Sequence, residues 1–334
     1  MTFGLFLEWF IKSLVVILAM TIGFAYVTWF ERRVLAKFQV RIGPNRAGKE
    51  GLLQPVADAL KLIFKEELVP ANADKLIFIL APVITMIPAL IITGVVPWGP
   101  PITLFGKTFT LSVSDINLGV LFILTVTSIS IYGITLAGWS SNNKYATMGG
   151  LRATAQMISY ELALGLAFIG PILIAGSMGI NDIVNAQQHV WFVLYQPLGA
   201  VIYMIAAIAE INRSPFDMPE AEQELTAGYH TEYSGMKFAL FFMAEYIKMI
   251  AICMIGASLF LGGYWGPGVA AHPWLGPIYL FVKVVLLLFV LVWIRATLPR
   301  FRYDRLMAFG WKILFPLALL NVMATALVIT LVGG

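Results

Sequence analysis

Apolar residues in this chain do not recur at the spacing of half-buried helices or strands; they run on, almost uninterrupted by charge, between short polar segments. A helix that crosses a bilayer needs about 20 mostly apolar residues. On that measure the pattern predicts about eight transmembrane helices, near 7–30, 76–97, 116–139, 157–177, 190–210, 237–262, 274–295 and 312–332. The stretches 76–97, 116–139 and 313–331 carry no charge. Pro82 and Pro88 fall inside the second span, where lipid-embedded helices tolerate proline because neighbours re-satisfy the freed carbonyls. One stretch has a different rhythm. After Pro55, VADALKLIFKEE puts Val56, Ala59, Leu60, Ile63 and Phe64 on one helical face and Asp58, Lys61, Lys65 and Glu66 on the other. That predicts an amphipathic helix lying in the interface plane.

Composition turns this pattern into a fold class. Of 334 residues 60% are hydrophobic and 12% charged, with a mean hydropathy of +0.85. So little charge cannot clothe a water-soluble surface, since soluble domains carry about a quarter charged residues. The expectation is an all-α integral membrane protein forming a single membrane domain over 1–334, with no internal repeat or extramembrane domain. Glu8 and Lys12 sit early, and the first apolar run reaches Phe30 without a small-residue cleavage site, so that span is expected to be retained. The net charge of +4 raises the question of nucleic acid, but the distribution of cations answers it. The loops 31–75, 140–156, 211–236 and 296–311, with the helix ends Lys237, Arg295 and Lys312, hold 18 of the 22 Lys and Arg; the alternate loops hold only Lys107. Positive loops face the cytoplasm, which predicts both termini on the outer (periplasmic) side and no nucleic-acid partner.

Candidate chemistry lies where charge is costly. An ionisable group at mid-bilayer costs roughly 2.5–3.5 kcal/mol on insertion scales, and such groups mark proton relays or ion paths. Glu161, Glu245, Lys248 and Lys283 fall within predicted spans and Glu210 closes the fifth. Each has a structural reading too. Glu245 and Lys248, three residues apart, can neutralise each other. Glu161 can serve a helix terminus, and Lys283 can snorkel. Three carboxylates at similar depth on three helices favour function. The loop SPFDMPEAEQEL (214–225) adds Asp217, Glu220, Glu222 and Glu224. Its first acids have capping-box spacing, but Glu224 lies beyond the first turn, so the cluster reads as the mouth of a proton path or a binding surface. The single Cys253 and the scattered His189, His230 and His272 offer no metal, haem or iron–sulfur site. No redox cofactor is expected on this chain.

Longer strings carry a resemblance. WFERRVLAKFQVRIGPNRAG (29–48), LLQPVADALKLIFKEE (52–67), GWSSNNKY (138–145), RATAQMISYEL (152–162), AEINRSPFDMPEAEQELTAGYHTEYSGMKF (209–238) and RATLPRFRYDRLM (295–307) resemble the cytoplasmic-side signatures of the H subunit of proton-pumping NADH–quinone oxidoreductase, respiratory complex I. The resemblance implies a membrane chain that anchors the hydrophilic arm and forms the membrane end of the quinone tunnel. It also implies that buried glutamates begin a charged axis toward the antiporter-like membrane subunits. Glu161, Glu210, Glu245, Glu220, Glu222 and Glu224 then match proton-path carboxylates. Glu31, Arg32, Arg41, Asp58 and Arg300 match the quinone tunnel or its entrance, which the amphipathic helix borders. Quinone is the implied substrate, NADH, FMN and iron–sulfur clusters belong to partner subunits, and the bacterial inner membrane is the implied location. A related membrane chain of a membrane-bound hydrogenase is the alternative. An autonomous secondary transporter fits less well, since no paired Gly-interrupted helices mark a midplane substrate site.

Overall fold

The structure, a computed structural model, describes residues 3–104, 107–217 and 227–332. It is helical apart from a two-stranded hairpin, Ile102–Leu104 with Lys107–Phe109. Among the described residues seven helical stretches are long and apolar enough to cross a membrane, and an eighth, Pro197–Glu210, is apolar but shorter. The helices are α1 (Phe3–Phe38), α2 (Gln54–Phe64), α3 (Lys75–Val95), α4 (Gly119–Ser140), α5 (Lys144–Ala175) and α6 (Ile180–Ala186). They continue with α7 (Phe192–Tyr195), α8 (Pro197–Glu210), α9 (Gly235–Phe260), α10 (Leu275–Thr297), α11 (Tyr303–Phe309) and, after a π-helical turn at Gly310–Leu314, α12 (Phe315–Val332).

Local chemistry sets several boundaries. The Asn143 side chain accepts from Tyr145 N at 2.9 Å and starts α5, whose first residues fall in the segment expected as a loop at 140–156. Gly176, at φ 68°, ends that helix in the left-handed conformation that a Cβ disfavours. The single span expected over 190–210 is two helices, because Pro197 drives Gln196 out of the helical region to φ −134°. Pro82 and Pro88 sit inside an unbroken α3.

α3 packs on α4, α4 on α5, and α5 on both α8 and α12, while α9 joins α3 to α10. α3 and α4 approach so closely that a Cβ on Gly133 would lie 2.1 Å from Thr85 Oγ1. The core gathers Tyr160 and Phe168 of α5, Tyr203 of α8 and Ile247 and Phe260 of α9. The Tyr203 hydroxyl donates to Ile252 O at 2.7 Å, tying α8 to α9. α1 lies outermost against α9 and α10, with only 6% of its most apolar stretch buried. The apolar face of α2 is also uncovered: Val56, Leu60, Ile63 and Phe64 are exposed, as an interfacial helix requires.

Candidate functional site

The ionisable residues converge where α1, α9 and α10 meet the segment after α8. Glu31, near the last turns of α1, is 2% exposed. A buried carboxylate needs donors, and it has two guanidinium groups. Arg213 Nη1 donates to its oxygens at 3.0 and 3.3 Å, and Arg295 Nη1, from the end of α10, donates to Glu31 Oε1. Arg213 also pairs with Glu245 of α9 and lies 4.3 Å from the ring centroid of Tyr246. One guanidinium therefore joins two carboxylates from two helices. Its position is set locally: Gln156 of α5 donates to Ala209 O at 2.9 Å and to Phe216 O at 2.7 Å, holding both sides of the turn that carries Arg213.

Glu245 leads on to a second group. Lys248, one turn along α9 and buried, interacts electrostatically with Glu210, Glu245 and Glu161. Glu161 accepts from the Ser128 hydroxyl of α4. Glu210 is 1% exposed, and neither of its carboxyl oxygens has a hydrogen-bond partner among the described residues. The side-chain oxygens of Gln156 and Asn212 are likewise unpartnered. Buried acceptors gathered without donors are the setting that ordered water fills.

Two other ion pairs tie down loops near this chain of charges. Arg32 donates to Asp58 of α2 at 2.7 Å, and Gln54 Nε2 donates to the same carboxylate at 3.1 Å. Arg300 donates to Asp217 at 3.0 Å, where Phe301 stacks on Phe216 at 5.7 Å. Beside Glu31 an apolar cleft of about 460 Å³ opens between α1, α9 and α10, lined by Met20, Val27, Met254, Leu280, Val284 and Leu288 among others. Phe30 of its wall is the residue before Glu31, and a separate small cavity is lined by Glu31, Met249, Leu291 and Arg295. Among the described residues no three His, Cys, Asp or Glu side chains converge where they could hold a metal ion.

A family model described as NADH dehydrogenase matches residues 11–326. The chain is 51% identical over 314 residues to the NADH-quinone oxidoreductase H subunit of Thermomicrobium roseum, covering 91% of both chains. It is 49% identical over 302 residues to the H subunit of the same enzyme in Protochlamydia amoebophila, with 90% of this chain and 91% of that one covered. A 51% identity over 322 residues relates it to "NADH-quinone oxidoreductase subunit 8" of Thermus thermophilus, with 96% of this chain and 87% of that one covered. The chain belongs to this family of H subunits.

As a member of that family it is a multi-pass membrane protein, and most of the residues singled out from the sequence have a place in the structure. Glu31, Glu161, Glu210 and Glu245 fall into one charged network. Arg32 with Asp58, and Arg300 with Asp217, form separate pairs near it. Arg41 stays apart: it is exposed and donates to Gln39 at 2.6 Å. Glu220, Glu222 and Glu224 lie outside the described residues. The structure adds partners for two of the residues read from the sequence. Glu245 pairs directly with Arg213, so Lys248 is not its only cation. The Lys283 ammonium, read as able to snorkel, donates to Leu261 O, Gly263 O and Trp265 O at 2.6–2.8 Å, pinning α10 to the loop after α9. Sequence reasoning missed Arg213 and Arg295 as site residues. A basic residue in a cytoplasmic loop is ordinary, and only the pairing across 182 and 264 residues sets these two apart.

Proposed function

We propose that this chain is the membrane subunit of a bacterial inner-membrane NADH–quinone oxidoreductase that receives quinone and starts the proton path. Its redox cofactors, NADH, FMN and iron–sulfur clusters, belong to partner subunits of the hydrophilic arm, and the antiporter-like membrane subunits continue the path. The observation that carries the reading is the shared guanidinium of Arg213, held by Glu31 on one side and Glu245 on the other.

Quinone arrives from the bilayer. The cleft between α1, α9 and α10 offers an apolar chain a route out of lipid, and its wall includes Phe30, the chain neighbour of Glu31. On this reading α2, tied to α1 by the Arg32–Asp58 pair, borders the entrance, and the Arg300–Asp217 pair fixes the segment that follows Arg213. Quinone reduction consumes two protons and changes the charge near Glu31. Arg213 then redistributes its hold between Glu31 and Glu245, since two carboxylates share one cation. The shift at Glu245 is felt by Lys248, Glu210 and Glu161 through the electrostatic contacts already described. Such a shared group is a two-state element that both sites bias, which is the requirement for coupling. The acidic run Glu220, Glu222 and Glu224 supplies further carriers to the same path.

The test is the pair of single changes Glu161→Gln and Glu245→Gln in the intact complex. Each keeps shape and most hydrogen-bonding capacity while removing titration. Quinone-coupled turnover and pumping fall together, by about tenfold or more as for loss of a proton-transfer group, while NADH oxidation by a soluble acceptor persists. Wild-type pumping in both variants would sink the proton-path assignment.

A further inference from the structure

The Ser128 hydroxyl of α4 lies within hydrogen-bond reach of two oxygens but has one proton to give. One is Leu124 O, a turn back along its own helix, at 2.9 Å. The other is Glu161 Oε1 of α5, across the helix pair. A hydroxyl bonded to the carbonyl four residues before it is ordinary in a helix. Thr21, Thr85 and Ser258 make that bond, and among the described residues their hydroxyls make no other. Ser128 differs in that its second contact is a carboxylate, for which it is the one hydrogen-bond partner among the described residues. The pair lies deep: Ser128 stands about 14 Å along the uncharged α4 from its first residue, at 1.5 Å per residue.

The two protonation states of Glu161 use that single hydrogen differently. When the carboxyl carries a proton, it donates to Ser128 Oγ, and the hydroxyl donates to Leu124 O. When the proton has left for the next carrier of the proposed path, the hydroxyl turns its own hydrogen onto the carboxylate, and the serine loses no proton. The turn costs little, because Leu124 O keeps the Thr127 hydroxyl at 2.8 Å. The charged groups that face Glu161 are Lys248 of α9 and Glu210 of α8, while α4 and α12, which also pack on α5, carry no charge. Lys248 and Glu210 act on Glu161 through their field, and among the described residues neither is hydrogen-bonded to it. Ser128 is the group that serves both forms of Glu161 by direct contact, at a depth where lipid offers neither donor nor acceptor.

We propose that Ser128 is a positioning residue of the proton path, a hydroxyl that exchanges acceptors each time Glu161 gains or loses its proton. The inference rests on the proposed role of Glu161 and gives it a second participant. The experiment uses the intact complex reconstituted in liposomes and reads both quinone-driven pumping and the redox-difference infrared spectrum. The protonated-carboxyl band that disappears in Glu161→Gln belongs to Glu161. In Ser128→Ala that band should shift, and pumping should fall roughly three- to tenfold, the range for one interhelical hydrogen bond. Ser128→Thr keeps the hydroxyl, so the band should stay in place and pumping should be within about twofold of wild type. In a Glu161→Gln background Ser128→Ala should change the residual pumping by no more than about twofold, as for two groups that act together. Undiminished pumping in Ser128→Ala, equal losses in the Ala and Thr variants, or a loss that recurs in full in the Glu161→Gln background would each overturn the proposal. The spectrum separates the two readings. A Glu161 band that Ser128→Ala leaves unmoved defeats this inference alone. If Glu161→Gln removes no band, Glu161 does not change protonation in turnover, and its role in the proton path falls together with this one.

Discussion

Arg213 meets two carboxylates and the face of Tyr246 at once, and its place in a loop gave no hint of it. Glu161, Glu210 and Glu245 were legible because a carboxylate inside or at the end of an apolar run is costly wherever it ends up. Their counter-ion was not legible, since a loop arginine costs nothing until the fold closes around it. This changes what a substitution does. Had Glu245 only neutralised Lys248, replacing both by Gln and Met would restore the protein. With Arg213 as the direct partner, Glu245→Gln with Lys248→Met is expected to stay inactive in quinone-coupled turnover while the complex assembles. Restored pumping in the double variant would return Lys248 to the role of sole partner. Arg213→Met goes further, because it removes the direct partner of Glu245 and one of the two guanidinium groups on Glu31. Losing one partner of a buried pair costs about 3–5 kcal/mol, so this variant should lower the melting temperature of the purified complex as well as its activity.

At the scale of elements, periodicity foretold α2 and apolar length foretold the long helices, but proline chemistry at Gln196–Pro197 split one span and left α8 short. Asn143 capping lengthened another into its loop. Neither departure shows in hydropathy, because both are decided by one or two residues and their backbone angles. The apolar face of α2 is uncovered by the chain, while Asp58 turns to Arg32. An ion pair joins the rim of α2 to α1, against which α2 also packs. Arg32→Ala and Asp58→Asn should each lower quinone reductase activity several-fold while NADH oxidation by a soluble acceptor is largely kept. Equal loss of both activities would point to failed assembly. An exposed pair is worth about 0–1 kcal/mol, so neither variant should change thermal stability much.

For the whole molecule, the proposed topology has eight membrane helices, one of them short, with the basic loops inside, both termini outside and the charged network toward the cytoplasmic side. Cysteines introduced at Asn45 and Lys144, both exposed, should react with an impermeant reagent only from the cytoplasm. Labelling of Asn45 from outside intact cells would invert the topology and separate the cleft from the hydrophilic arm. Within that topology, Glu31 beside the cleft and Glu245 of α9 are proposed to act as one unit because they share Arg213. A double-mutant cycle measures that directly, using quinone-driven proton pumping by reconstituted complexes carrying Glu31→Gln, Glu245→Gln and both. Groups that act as a unit are strongly non-additive, so each single change should cost about tenfold or more and the double no more than about twofold beyond the worse single. Losses that simply multiply would show that the two carboxylates work independently and would contradict coupling through the shared guanidinium.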